Sequence, residues 1–366
     1  MSELKEIKPS KVKELPPKIA YEPIMKELTA AHLAVGELKG FLNTLHNPDL
    51  LIAPFRKREA VASSAIEGTR ATLEEVLKYE AVAEPRTISE KDKQNVKTQD
   101  IIEVKNYEEA MKEALKLLKD KSIAENLLKS THFILLKSVR GTNRNRGNFR
   151  REQVIVGDYV PPVFTDIPKL MSNWEKYLNS DIENDILVRI GIAHYQFEAI
   201  HPFLDGNGRI GRLIIPLFLC QVGMLPAPVL FISHHLEEHK VEYQRLLHKV
   251  DTDQDWTLWL KFFLTAVEVQ ARTTIKMAKE IQELYERSKN KIIENIRSRH
   301  SITVLDVIFA RPIITANNIR EELKAKSKGT TYNLLEKFVK EGILKEYRIG
   351  RESIYLFSDL LKILRV

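Results

Sequence analysis

Only one of the 366 residues is a cysteine, Cys220, so no disulfide can form within the chain. Long apolar runs are missing too. Charged residues interrupt every hydrophobic segment before it reaches the ~20 residues that a membrane helix needs. The N-terminus, Met1 to Pro9, has no apolar core of the kind that directs secretion. No internal repeat is apparent, and strand-like alternation is scarce before residue 300. Nor does one sign of charge dominate: 57 Lys and Arg against 50 Asp and Glu leave +7, spread along the chain. That balance suits contact with nucleotides or nucleic acid without establishing either. These absences predict a cytoplasmic protein with no membrane segment, mainly α-helical and long enough for more than one domain.

What is present is concentrated in residues 201–212, His-Pro-Phe-Leu-Asp-Gly-Asn-Gly-Arg-Ile-Gly-Arg. Ahead of them, Ile186 to Phe197 reads as a buried helix. Pro202 disfavours helical angles at His201, so that helix should end near Ile200, with the imidazole projecting beyond it. Gly206 and Gly208 permit a tight turn whose backbone N–H groups converge on an anion. The apolar run Leu213 to Leu219 makes the turn the start of a second helix, where unpaired amides and the helix dipole favour phosphate. A proton acceptor, a metal-binding carboxylate, an anion-binding turn and two arginines are what is needed to hold a polyphosphate and transfer part of it.

This dozen resembles the signature of Fic-domain proteins, His-Pro-Phe-x-Asp-Gly-Asn-Gly-Arg-x-x-Arg, at every fixed position. The resemblance implies a Fic helical-bundle core with a small β-hairpin flap and extra N-terminal helices. It implies a protein adenylyltransferase that moves AMP from ATP to a Ser, Thr or Tyr hydroxyl of a target protein and of itself. His201 would be the general base, and Asp205 would hold Mg²⁺ between the α- and β-phosphates. Gly206, Asn207 and Gly208 would form the anion hole, Arg209 and Arg212 would hold the phosphates, and Ile210 and Gly211 complete the ATP-binding stretch. The segment Val154, Ile155, Val156, Gly157, running to Pro162, resembles the flap beside the site. Tyr243 resembles an aromatic that lines the adenine pocket. Many relatives have a second tyrosine where this chain has Gln244, and some an asparagine where it has Asp251, which leaves base selectivity open.

A second motif, Ser63 to Gly68, resembles the family's inhibitory sequence, Ser/Thr-x-x-x-Glu followed by Gly or Asn. Glu67 falls at a helix C-terminus, where the dipole disfavours a carboxylate, so a cationic partner is expected. The resemblance supplies Arg212. Pairing with Glu67 would keep Arg212 from orienting the γ-phosphate, and Ser63 belongs to the same inhibitory element.

Along the chain, residues 1–105 read as an N-terminal helical region and 106–270 as the catalytic domain. Residues 271–299 read as a connecting helix and 300–366 as a winged-helix-like domain. Residues 1 to about 20 read as an extended arm. Pro54 suits a first helical turn and Gly68 the position past a helix end. Thr72 with Glu75 reads as a capping box. Near the C-terminus, Ile313 to Leu323 reads as a first helix, and Ser327 as the cap of a second from Lys328 to Glu341. Ile343 to Tyr347 and Ser353 to Phe357 read as strands. Lys326, Lys328, Thr330, Thr331, Arg348 and Arg351 could face DNA. The segment from 301 has twelve Lys and Arg against eight acidic residues, so its electrostatic footprint is weak.

His194, one helix face before His201, reads as a buried structural histidine. His234, His235 and His239 cluster within six residues, but among Ser, Glu and Lys they read as a solvated helix start. No second ligand group has the spacing of a zinc site. Pro216 reads either as a tolerated kink or as a shaper of the turn that carries Arg212. Three alternatives stay open. The chain could be a DNA-binding regulator whose Fic domain senses nucleotide, it could transfer another phosphate-containing group, or it could remove AMP. The target protein and the oligomeric state, a homodimer included, are left open by the sequence.

Overall fold

The computed structural model describes residues 8–45, 48–83, 95–137, 145–183, 185–324, 328–349 and 352–365. Helices dominate. In chain order they are α1 (Met25–Thr44), α2 (Asp49–Ile66), α3 (Leu73–Ala83), α4 (Val96–Leu118), α5 (Glu125–Leu135), α6 (Ile167–Leu178), α7 (Ile186–Ile200), α8 (Asn207–Gln221), α9 (Ser233–Glu238), α10 (Lys240–Asp253), α11 (Trp256–Asn295) and α12 (Ser301–Ala310). Strand β1 (Ile313–Thr315), α13 (Ala316–Glu322), α14 (Lys328–Lys340), β2 (Lys345–Ile349), β3 (Glu352–Leu356) and α15 (Ser358–Leu364) follow.

These elements form two compact units, residues 1–43, 62–69 and 106–272 in one, and 44–61, 70–105 and 273–366 in the other. The units do not follow the consecutive blocks read from the sequence. The reason is visible in α3, whose Leu77 and Ala81 share a core with Ile313, Ile354, Leu356 and Leu361. An amphipathic helix advertises that it has an apolar face, but not which distant segment covers it.

In the first unit α7 is central, with all but two of its fifteen residues buried. Its start is capped by Asp185, whose Oδ1 accepts from the amides of Leu187 (2.9 Å) and Val188 (3.0 Å). Helices α6 and α8 pack against it. Two indoles reach its backbone: Trp174 Nε1 donates to the Ala193 carbonyl (2.8 Å) and Trp259 Nε1 to that of Gly191 (2.9 Å). Residues 8–20 carry no helix, as expected of an arm. The arm is tied down, with the Leu15 amide bonded to Asn173 Oδ1 (2.8 Å) and the Lys13 carbonyl to Gln196 Nε2 (2.7 Å).

In the second unit β1, β3 and β2 form an antiparallel sheet in that order. Three local expectations shift. Pro54 lies inside α2 rather than in its first turn, because the helix begins earlier, at Asp49. Residues 313–315 are a strand, and helix α13 begins only at Ala316, where Thr315 and Asn318 form a reciprocal capping box. Strand β2 begins two residues later than the alternation suggests. The amides of Ile343 and Leu344 are taken by the Phe338 carbonyl in the C-terminal cap of α14 (3.0 and 3.2 Å). The expected capping box of Thr72 and Glu75 is present at α3 (3.1 and 3.3 Å). Ser327, Lys326 and Arg351 lie outside the described residues. Thr331 is 2% exposed and cannot face a phosphate, whereas Thr330 and Arg348 are on the surface.

Candidate active site

Helix α7 ends at Ile200, and His201 turns the chain through left-handed angles (φ 49°, ψ 60°). A non-glycine residue accepts such angles only where its surroundings hold it. Here the holder is Arg150. Its amide bonds the Pro202 carbonyl (2.8 Å) and its Nε the His201 carbonyl (2.9 Å), and the side chain is 2% exposed. A ring nitrogen of His201 donates to the backbone carbonyl of Glu198. A carbonyl only accepts, so that nitrogen carries the hydrogen and the other keeps a lone pair. Burial, above all, lowers the His201 pKa to about 4, so the imidazole is neutral near pH 7.

The turn closes on itself. Asn207 Oδ1 accepts from the Phe203 amide (2.8 Å) while its Nδ2 donates to the Phe203 carbonyl (2.9 Å). Gly206 adopts φ 77° as the N-cap of α8, and the Ile210 amide bonds the Gly206 carbonyl (3.0 Å). The amides of residues 207–209, preceding the first satisfied turn, therefore point out of the helix start. Ile210, whose amide is used and whose side chain is wholly buried, instead anchors the helix to the core. Asp205 bonds Arg209 (3.2 Å) and the Gly206 amide (2.6 Å) through one carboxylate oxygen, and its side chain is half-exposed.

Arg212 is 2% exposed and points back toward the end of α2. Its Nε donates to Ser63 Oγ (2.9 Å), and one terminal nitrogen donates to the Ser63 carbonyl (2.8 Å) and to Glu67 Oε1 (2.6 Å). Burial works against a charged Glu67, but Arg212, with Arg209 and Lys240 adding to it, keeps the carboxyl below its ordinary pKa. Lys240 donates to the Ile66 carbonyl in that last turn. The Glu67 carboxylate reaches the helix start itself, since a Cβ added at Gly208 would collide with its Oε1. In this structure, then, a protein carboxylate occupies the space above the anion-binding turn.

The flap is slighter than a hairpin. Val156 and Tyr159 exchange both backbone hydrogen bonds (2.8 and 3.0 Å) around Gly157 and Asp158, and pairing stops there. Pro161 and Pro162 have no N–H with which to extend the ladder. Ile155 and Val156 are exposed, at 63% and 42%. Arg150 joins this strip to the turn, bonding the carbonyls of Glu152 and Pro162 besides that of His201.

Tyr243 is packed as a wall, 4% exposed. Its hydroxyl meets His194 Nε2 at 2.9 Å and is also hydrogen-bonded to Arg212. His194 Nδ1 donates to the Gly211 carbonyl (3.1 Å), so His194 is a satisfied core histidine, with burial taking its pKa down to about 3.

Three residues were not singled out by sequence. Arg150 is one, signalled only by the Gly-x-Phe-Arg before the flap. His132 is another: it stacks on Phe203 (3.9 Å between centroids), accepts from the Gly147 amide at Nδ1 (2.9 Å) and meets the Asp205 carbonyl at Nε2 (3.0 Å). The third is Glu198, whose Oε1 presses on Gly211 without a hydrogen-bond partner and whose pKa burial raises to about 8. No local pattern marks His132 or Glu198, because each acts on a segment away from its own helix. Among the cluster at 234–239, His235 is buried rather than solvated.

Residues 25–116 match the Fic/DOC family N-terminal region and residues 122–219 the Fic/DOC family, together about half of the chain. Over 82 residues the chain is 44% identical to Protein adenylyltransferase Fic of Drosophila grimshawi and 43% to that of Drosophila yakuba. Those stretches are 22% of this chain but 17% of either fly protein, so the chain spans about a sixth of the curated relatives it matches. A Fic family protein from Desulfovibrio desulfuricans G20 aligns with TM-score 0.59 and 23% identity over 93% of this chain and 98% of that one. Fic-1 (residues 134–508) from C. elegans aligns with TM-score 0.55 and 20% identity, over 70% and 74%. At these identities the structural likeness is one of fold. The two family matches, the second ending on α8 with the whole turn inside it, make this chain a member of the Fic/DOC family.

Proposed function

We propose that the chain is an autoinhibited protein adenylyltransferase, moving AMP from ATP to a Ser, Thr or Tyr hydroxyl of a target protein and of itself. The hydroxyl oxygen attacks the α-phosphorus, His201 takes its proton, and the bond to pyrophosphate breaks. The supporting observation is that a neutral imidazole with a free lone pair and an anion-ready helix start belong to one closed turn. Arg209 and Arg212 supply the fixed positive charge that triphosphate binding requires. The flap's exposed Ile155 and Val156 suit main-chain pairing with an extended target segment.

Asp205 fits Mg²⁺. Its carboxylate is half-exposed and both of its hydrogen bonds use one oxygen, which leaves the other for a hard cation. When bound, the ion would neutralise charge on the phosphates. Inhibition is read from the Glu67–Arg212 contact: while it persists, Arg212 cannot hold a γ-phosphate, and the Glu67 carboxylate repels one. We also read residues 301–357 as a winged-helix module, from their order of helix, strand, two helices and two strands. Its exposed Lys337, Lys340 and Arg348 are interspersed with Glu336 and Glu346, so a protein partner suits it better than DNA.

Parallel incubations with α-labelled and γ-labelled ATP test the activity. Label retained on protein from the α position alone is the expected result. Label from γ alone means phosphoryl transfer, and label from neither, in wild type and in Glu67→Gly, removes the transferase reading.

A further inference from the structure

The corner between α9 and α10 carries three side chains with metal-ligand chemistry. One ligand atom each from His235, Glu238 and His239 lie within 4.8 Å of one another. The two imidazole centroids are 4.4 Å apart, with their planes inclined by 50°. Spacing of i, i+3 and i+4 brings all three to one face of a helical path. His239 is the only break between the two helices.

The three arms differ in freedom. His235 is 7% exposed and packs against Phe262 at 5.7 Å. Glu238 and His239 are exposed. A tetrahedral zinc with ligands at ~2.0–2.1 Å needs ligand atoms roughly 3.3 Å apart, so the two outer arms have to swing inward by no more than about 1.5 Å onto a fixed one. Both imidazoles line a 370 Å³ cleft that Glu242 also borders, and the cleft gives an ion access and room for water. The His235 ring makes no hydrogen bond or ion pair among the described residues. A buried imidazole that borders a cleft is positioned to take a ligand from it.

Other charged groups face the same space. Glu238 lies 3.6 Å from His234, Glu242 is tied to Arg245 (2.6 and 2.7 Å), and Lys261 lines the cleft. The one carboxylate of the set does no more than balance Lys261, which favours an ion bound by strong, short N/O bonds over one held by net charge. That donor set selects a borderline cation such as Zn²⁺ and not the oxygen-seeking Mg²⁺.

We propose that His235, Glu238 and His239 form a zinc-type metal site, with water as the fourth ligand, separate from the turn of Asp205. The ion would fix the α9–α10 corner in register. Tyr243 stands one turn beyond His239 and bonds its carbonyl through the backbone (2.9 Å), so the metal clamps the segment that presents the Tyr243 hydroxyl.

The experiment uses full-length, untagged protein stripped with chelator, then titrated with Zn²⁺ by calorimetry and with Co²⁺ by visible absorption. Expected are one ion per chain, the d–d bands of tetrahedral Co²⁺, and a higher melting temperature with Zn²⁺. His239→Ala and Glu238→Gln alter exposed side chains and so keep the fold. The first should weaken binding at least a hundredfold and the second at least tenfold, and Asp205→Ala should leave it unchanged. Failure to saturate at one ion, unchanged affinity in His239→Ala, or loss in Asp205→Ala instead would overturn the site. None of these readouts depends on nucleotide transfer.

Discussion

Residues 201–212 and residues 152–162 meet at Arg150, yet they are held in opposite ways. Within the turn, Asn207 bonds both backbone groups of Phe203, Asp205 bonds the Gly206 amide, and His132 holds the Asp205 carbonyl and stacks on Phe203. The flap has one bridge, Val156 to Tyr159, and exposed apolar side chains. The contrast follows from the work proposed for each. Charge stabilisation loses its advantage when the donors must reorganise, so the turn is built rigid. A strip that adds an incoming strand needs unspent backbone groups, so it is left under-paired.

The largest effect should come from the turn. His201→Ala is expected to reduce AMP transfer roughly a hundred- to ten-thousandfold, the usual cost of losing a general base, with ATP binding nearly intact. Near wild-type transfer by the folded variant would remove His201 from the mechanism. Arg150→Ala attacks the junction. It removes the donor from the carbonyls of His201, Glu152 and Pro162, the last of these bonds being the buried one. A loss of roughly 2–4 kcal/mol in denaturant unfolding is expected. A loss below about 0.5 kcal/mol would mean the turn holds its left-handed bend unaided.

Glu67→Gly should raise autoadenylylation about tenfold, and adding Arg212→Ala should erase the gain, because both residues act through one contact. A rate no higher than wild type would make Glu67 a helix-end residue only. The same variant allows a pH test. A base works unprotonated, so kcat/KM should hold as pH falls through 6.5 and decline only toward about 4, where the buried His201 ring protonates. An acid limb centred near 6.5 would show that the ring is not shielded. The smallest effect is expected in the flap. Ile155→Asp should alter stability by no more than about 0.5 kcal/mol, and should weaken transfer to a protein target while sparing hydrolysis of ATP. Equal losses in both would tie the flap to the nucleotide.

Local chemistry carried the turn into the sequence. Pro202 after an apolar run, the glycines at 206 and 208 and the second apolar run act over a few positions, and the structure ends α7 at Ile200 and starts α8 at Asn207. Glu67 was legible for a related reason. A carboxylate at a helix C-terminus is unfavourable by itself, so a cation had to be near it. The resemblance to the Fic signature named Arg212, which the charge argument alone would not have done.

Only the tertiary structure decided what depends on which faces meet. That Arg150 bends His201, that His132 stacks beneath Phe203, and that Glu198 is trapped against Gly211 all come from contacts between segments far apart in sequence. The partnership of α3 with the C-terminal sheet and the burial of His235 against Phe262 are of the same kind. Periodicity in a sequence states that a side is apolar. It does not state what will cover that side, and covering is what desolvates a histidine or strands a carboxylate.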